Sequence, residues 1–222
     1  VSVPCGTMYG KSEDLIIVGA HHDTVYHGPG AVDDTSGTAS VLEMARQIAI
    51  IANESGTPEY TIRFCTWGGE EEGLWGSKAY VNANGNELAR NLRLYINLDM
   101  NHVDIDMANR GNSLRFFSNS AKDINHVSDI IDLLNDEQSS VFSKYSVTLT
   151  KETTMPYNSD HGPFVYDLPD SVEGNALVCY GSGSWEYHTY KDDMSRFNEE
   201  SLGISVIAYG TYLRYLAWPV EA

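Results

Sequence analysis

The chain switches repeatedly between strand-like and helix-like hydrophobic patterns, and that alternation limits it to few folds. Asp14–Ala20 (DLIIVGA), Tyr60–Trp67 (YTIRFCTW) and Leu92–Leu98 (LRLYINL) are apolar runs that read as buried strands. Shorter runs at Leu114–Phe117, Tyr145–Thr150 and Ala176–Tyr180 read the same way. Helical spacings lie between them. Thr35 or Ser36 can cap a helix that carries Val41, Leu42, Met44, Ala45, Ile48 and Ala49. A short helix is expected over Gly76–Val81, and a longer one from Ser120 to Asn135 with Ile124, Val127, Ile130, Ile131 and Leu134 on one face. An amphipathic helix is expected from Asn198 to Leu216. This order predicts an α/β fold, a three-layer sandwich with a mostly parallel central sheet flanked by helices. No repeat or linker divides residues 1–222, so one domain is the expectation.

Composition narrows the function. A 42% hydrophobic, 20% charged chain of 222 residues is globular in character. Its net charge of −17 repels phosphate backbones and anionic lipid, so neither nucleic acid nor a membrane surface is an expected partner. Cys5, Cys65 and Cys179 are far apart and form no CxxC, which excludes a disulfide scaffold and a zinc–thiolate site. Cys65 and Cys179 sit in apolar runs and read as small buried hydrophobes, while Cys5 is free or paired.

In such sheets ligands collect beyond the carboxyl ends of the strands. DLIIVGA is followed by His21, His22 and Asp23; YTIRFCTW by Gly68, Gly69, Glu70, Glu71 and Glu72; LRLYINL by Asp99. AVDDTSG, ahead of the first helix, holds Asp33 and Asp34. Each piece has a bland alternative: a loop histidine, a helix cap, a charged turn. Together they place acids and imidazoles at successive strand ends, where cations would relieve their repulsion and mixed donors suit zinc. In an extended HxD segment, His21 and Asp23 share a face, so His21 can bind metal while Asp23 fixes its ring. Downstream, Ser159–Phe164 (SDHGPF) opens a short helical segment, and His188 follows the last strand across a Gly/Ser loop.

The stretches GAHHDTV, GPGAVDDTSGTASVLEMAR, WGGEEEGLWGS, INLDM, SDHGPF and YHTYKDD resemble, in order, those of the co-catalytic zinc aminopeptidases. That family includes secreted bacterial leucine aminopeptidases, with glutamate carboxypeptidases and glutaminyl cyclases as relatives. The resemblance implies two zinc ions, replaceable by cobalt or manganese. His21 and Asp99 would hold one, Glu71 and His188 the other, and Asp33 would bridge them. It implies Glu70 as general base, Asp23 as the carboxylate behind His21, and a cis peptide between Asp33 and Asp34. Asp34 and Asp160 would support the centre from behind, and Tyr187 would hold the substrate carbonyl or oxyanion. The implied reaction is release of N-terminal residues from peptides or aminoacyl compounds with a free amino terminus.

Against the family pattern the chain is short ahead of GAHHDTV, so a missing leading segment is an expectation. Glu72 stands where relatives often carry an apolar residue. A one-zinc glutaminyl cyclase and a non-catalytic binding module are the alternatives. His21 argues against the first, and an intact set of ligands and base argues against the second. Eight scattered Arg offer no basic pocket for a carboxypeptidase. Trp75, Phe164 and Trp185 are candidates for an apolar substrate pocket or for the core. Secretion is the expected location, although the cytoplasm of a salt-loving organism fits the same composition.

Overall fold

A computed structural model describes residues 1–103, 113–137, 145–169, 174–181 and 186–219. Seven strands form one sheet: β1 (Cys5–Met8), β2 (Ser12–His21), β3 (Tyr60–Trp67), β4 (Leu92–Leu98), β5 (Ser113–Ser118), β6 (Ser146–Lys151) and β7 (Ala176–Tyr180). Their spatial order is β1-β3-β2-β4-β7-β5-β6. β2 pairs in parallel with β3 and β4, β4 with β7, and β5 with β6; β1 and β5 run antiparallel to β3 and β7. This is the mostly parallel three-layer α/β arrangement expected.

Among the described residues five α-helices flank the sheet: α1 (Ser36–Ser55), α2 (Trp75–Asn91), α3 (Ala121–Glu137), α4 (His161–Tyr166) and α5 (Glu199–Ala217). Strand alternation sends Ile16, Val18, Ile96 and Leu98 to one face, where they pack with Val41, Met44, Val127 and Ile204 of α1, α3 and α5. Leu15, Ile17 and Tyr95 point to the other face, against Val81 and Leu88 of α2 and Phe164 of α4. Both faces of the central strands are covered, which is why their sequences are continuous apolar runs. No helix among the described residues is long and apolar enough to cross a membrane.

Four readings change. The helix expected over Gly76–Val81 runs from Trp75 to Asn91, carried by burial of Val81, Gly85 and Leu88 on one stripe despite a polar sequence. β1 is an additional edge strand, in which Cys5 lies opposite Cys65. Cys65 is therefore a disulfide half bonded to Cys5, not a free buried thiol; Cys179 is free and buried. Phe164 is fully buried and stacks on Tyr95 at 4.1 Å between ring centres, so it belongs to the core, whereas Trp75 is exposed. Trp185 lies outside the described residues.

Candidate metal centre

The parallel strands deliver their terminal residues to one edge of the sheet. His21 is the last residue of β2 and is buried. Its Nδ1–H faces the Asp23 carbonyl at 3.1 Å, which leaves Nε2 directed at Asp33 Oδ1, 3.2 Å away. Asp99, immediately after β4, brings Oδ1 to 4.0 Å from the same nitrogen. The second oxygen of Asp33 lies 3.2 Å from His188 Nε2, and that nitrogen is 3.0 Å from Glu71 Oε2. Two triads result, His21–Asp33–Asp99 and Asp33–Glu71–His188, each with donor atoms within 4.8 Å of one another. Asp33 belongs to both. His188 and Met100, which follows Asp99, hold φ of 59° and 47°. Non-glycine residues adopt this region at some cost, and such positions gather at functional sites.

The supporting residues divide the work. Asp34, joined to Asp33 by a cis peptide, is fully buried, and its Oδ2 also stands 4.0 Å from His21 Nε2. Its Oδ1 accepts from the N–H groups of Gly37 and Met100 at 3.0 and 2.9 Å. Asp34 thereby ties the start of α1 to the residue after Asp99, and it caps the helix in place of Thr35, whose side chain makes no cap bond. A Cβ on Gly37 would collide with the Asp34 carboxylate and the Leu98 carbonyl, so only glycine fits there. Asp23 lies behind His21 and also braces the two glutamates. Its main-chain carbonyl makes the short contact to His21, while its carboxylate, 3.7 Å from the ring, accepts the N–H groups of Glu70 and Glu71 at 3.1 and 3.2 Å. Asp160 precedes α4 without capping it; its carboxylate is buried and accepts from Ser77 Oγ. His161 beside it is buried, not a surface histidine. Tyr187 is exposed and stacks on His188 at 3.6 Å between ring centres. Glu72 is exposed beside the two site glutamates.

Two contributors carry no signal in the sequence patterns. A buried chain of hydrogen bonds runs from Trp67 Nε1 to Tyr95 Oη, Asn97 Oδ1 and, through Asn97 Nδ2, to Ser159 Oγ beneath the centre. Asp192 accepts the N–H groups of Val32 and Asp33. It stands in the quoted YHTYKDD stretch, but a Lys-Asp-Asp run there reads as solvated surface.

The electrostatics are those of a site short of positive charge. Burial pushes Glu70 up to about 8, with Asp99, Asp160 and Glu71 adding to it. Burial, then Asp33, raises Glu71 to about 7, and burial raises Asp160 to about 7. Asp34 and Asp99 are raised too, chiefly by burial. Burial opposes the charge on His21, yet Asp34, Asp23, Asp33 and Asp99 outweigh it and lift the imidazole well above 6.5. Burial would also raise Asp23, but His21 and the two N–H groups hold it at about 2. Asp34 Oδ2 and Glu71 Oε1 are buried without a hydrogen-bond donor among the described residues. Buried anionic oxygens without donors, set among imidazoles, fit divalent cations.

These shifts give the metal-free chain a pH dependence. Glu70, Glu71 and Asp160 keep protons in the fold up to about 8, 7 and 7, where the unfolded chain has lost them. The folded state then binds more protons than the unfolded one, so stability falls as pH rises. His21, raised in the fold, acts in the same direction above 6.5. His161, lowered by burial to about 4, acts oppositely, but that effect is complete once pH exceeds 6.5. The melting temperature of metal-free protein is expected to fall between about pH 6.5 and 8. A rise over that interval in calorimetry would contradict these assignments.

The model of peptidase family M28 matches residues 5–208. This chain belongs to peptidase family M28. An aminopeptidase of Pseudomonas aeruginosa is 39% identical to it over 99 residues, 45% of this chain and 18% of that relative. The solved aminopeptidase from Aneurinibacillus sp. strain AM-1 is 27% identical with a TM-score of 0.71, over 98% of this chain and 48% of its own. BSAP, a zinc aminopeptidase from Bacillus subtilis, shares the fold at 24% identity and a TM-score of 0.72, over 98% of this chain and 50% of its own. The M28 chain thus spans about half the length of these solved relatives.

Proposed function

We propose that this M28 chain carries the catalytic centre of a zinc aminopeptidase, which hydrolyses peptides or aminoacyl compounds at a free amino terminus. One observation carries the reading. The two oxygens of Asp33 face different imidazoles, so a single carboxylate is shared by two donor triads. His21 and Asp99 would hold one ion, Glu71 and His188 the other, and Asp33 both. Imidazole with carboxylate suits zinc, with cobalt or manganese as substitutes. Ions bound there would act as Lewis acids toward the scissile carbonyl and would lower the pKa of a water nucleophile.

The chain's own residues supply the rest. Glu70 belongs to neither triad and stands next to Glu71, with its main chain held by Asp23. Its carboxylate takes the proton of the attacking water and returns it to the leaving amine nitrogen. Burial raises its proton affinity, and cations held nearby would lower it; a general base works best when its proton affinity matches the working pH. Tyr187, against His188, can donate its hydroxyl to the developing oxyanion. The excess of acidic groups around the centre favours a substrate ammonium, which selects free amino termini. A one-zinc cyclase would leave one complete triad without use, and a binding module would have no need of Glu70.

The experiment compares leucyl-p-nitroanilide with its N-acetyl derivative. The free-amine substrate is expected to turn over and the acetylated one to be inert. Equal rates would remove the aminopeptidase reading. The Cys5–Cys65 disulfide supports an exported, oxidising location for this chain.

A further inference from the structure

Three consecutive main-chain N–H groups of the Asp33 turn end on one residue. Ala31 N–H donates to the Asp192 carbonyl at 3.1 Å, Val32 N–H to Asp192 Oδ1 at 2.9 Å, and Asp33 N–H to Asp192 Oδ2 at 3.0 Å. Asp192 is only 2% exposed. It is also tied to the turn that presents His188. Its N–H donates to the Thr189 carbonyl at 3.2 Å, and Thr189 returns two bonds, from N–H at 2.9 Å and Oγ1 at 2.7 Å, to the Glu186 carbonyl. Asp33 and His188, which meet at 3.2 Å, are thus fastened behind the centre by one short turn.

A purely structural acceptor need not be charged here. The Asp192 carboxylate places another anion within reach of Asp33, in a pocket already crowded with acids, and raises the cost of leaving the pocket without cations. What the carboxylate offers is two acceptor oxygens for two adjacent N–H groups, which fixes the orientation of the peptide that carries Asp33. An Asn in its place would accept from only one of them and turn a donor toward the other.

We propose that Asp192 is a positioning residue that sets the shared carboxylate of Asp33 against His188 at the spacing two cations require. The proposal rests on the two-zinc reading above. It places outside the triads a residue on which zinc affinity depends, while the fold does not.

The test is titration of metal-free protein with zinc against a competing chelator, alongside thermal melting of the metal-free forms. Wild type, Asp192→Asn, Asp192→Glu and Asp193→Asn are compared. Asp193, exposed one residue further on, caps a separate turn through Ser195 N–H and serves as the control. Asp192→Asn is expected to fold, with a melting temperature lowered only by the one N–H left unpaired, and to bind zinc about 10- to 100-fold more weakly, the usual cost of losing a partner behind a ligand. Asp192→Glu, which keeps both acceptor oxygens, is expected to recover part of that affinity, and Asp193→Asn to match wild type. Wild-type zinc affinity in Asp192→Asn would overturn the proposal. Failure of both Asp192 variants to fold would also overturn it, because the residue would then serve the fold. Wild-type protein that binds no zinc would instead sink the two-zinc reading on which the proposal stands.

Discussion

Glu70→Gln is expected to lower kcat about 10²- to 10⁴-fold, the range that a positioned proton-transfer group contributes. Gln preserves the shape of the side chain and its place in the GGEEEG turn but cannot carry a proton. Glu70 lies outside both donor triads, so the variant should retain the zinc content of the wild type. The loss should fall on kcat, because the proton moves in the transition state and contributes little to ground-state binding. Stopped-assay kinetics with metal analysis of the same sample checks both parts. Turnover near the wild-type rate would remove Glu70 as the base, and loss of zinc would make it a ligand instead.

Removal of metal should also suppress turnover. Carbonyl polarisation and water activation are together worth several kcal/mol, so the chelated protein should lose at least about 10³-fold in rate. His21 stands at ion-pair distance from Asp33, and the protons that His21, Glu71 and Asp99 hold more tightly than usual would take over part of the cations' role. Zinc must displace those protons, so its uptake should release protons and be tighter at pH 8 than at pH 6. Activity that survives exhaustive chelation, or zinc affinity that is flat across that range, would count against this description.

The central part of the fold and most of the site are legible in the sequence for one physical reason. His21, Asp99 and the Glu70–Glu71 pair each follow an apolar run long enough to cross a buried sheet, and parallel strands bring such ends to one edge. The shared place of Asp33 in two triads and the place of His188 in one of them are anticipated only through the family resemblance, since a loop histidine far along the chain has no local signature. Other features depend on register or on main-chain partners that no pattern reports. The place of Cys65 in an apolar run correctly implies burial, but its bond to Cys5 follows from the pairing of a four-residue edge strand with β3. The polar NANGNELARN stretch is helical because Leu88 packs with Leu15, Ile17 and Tyr95 of the sheet and Gly85 lies close under Pro169, against its own modest propensity. Asp23 and Asp192 show the same limit. An aspartate next to a ligand is easily seen, yet its oxygens go to N–H groups of Glu70, Glu71, Val32 and Asp33, which carry no side-chain signal.

The most direct measurement is aminopeptidase activity of metal-free protein as zinc is added back, with bound metal counted at each step. The Asp33-centred account predicts that activity saturates at two zinc ions per chain, with no second plateau beyond them. Full activity with a single bound ion, or saturation without any gain in activity, would contradict it.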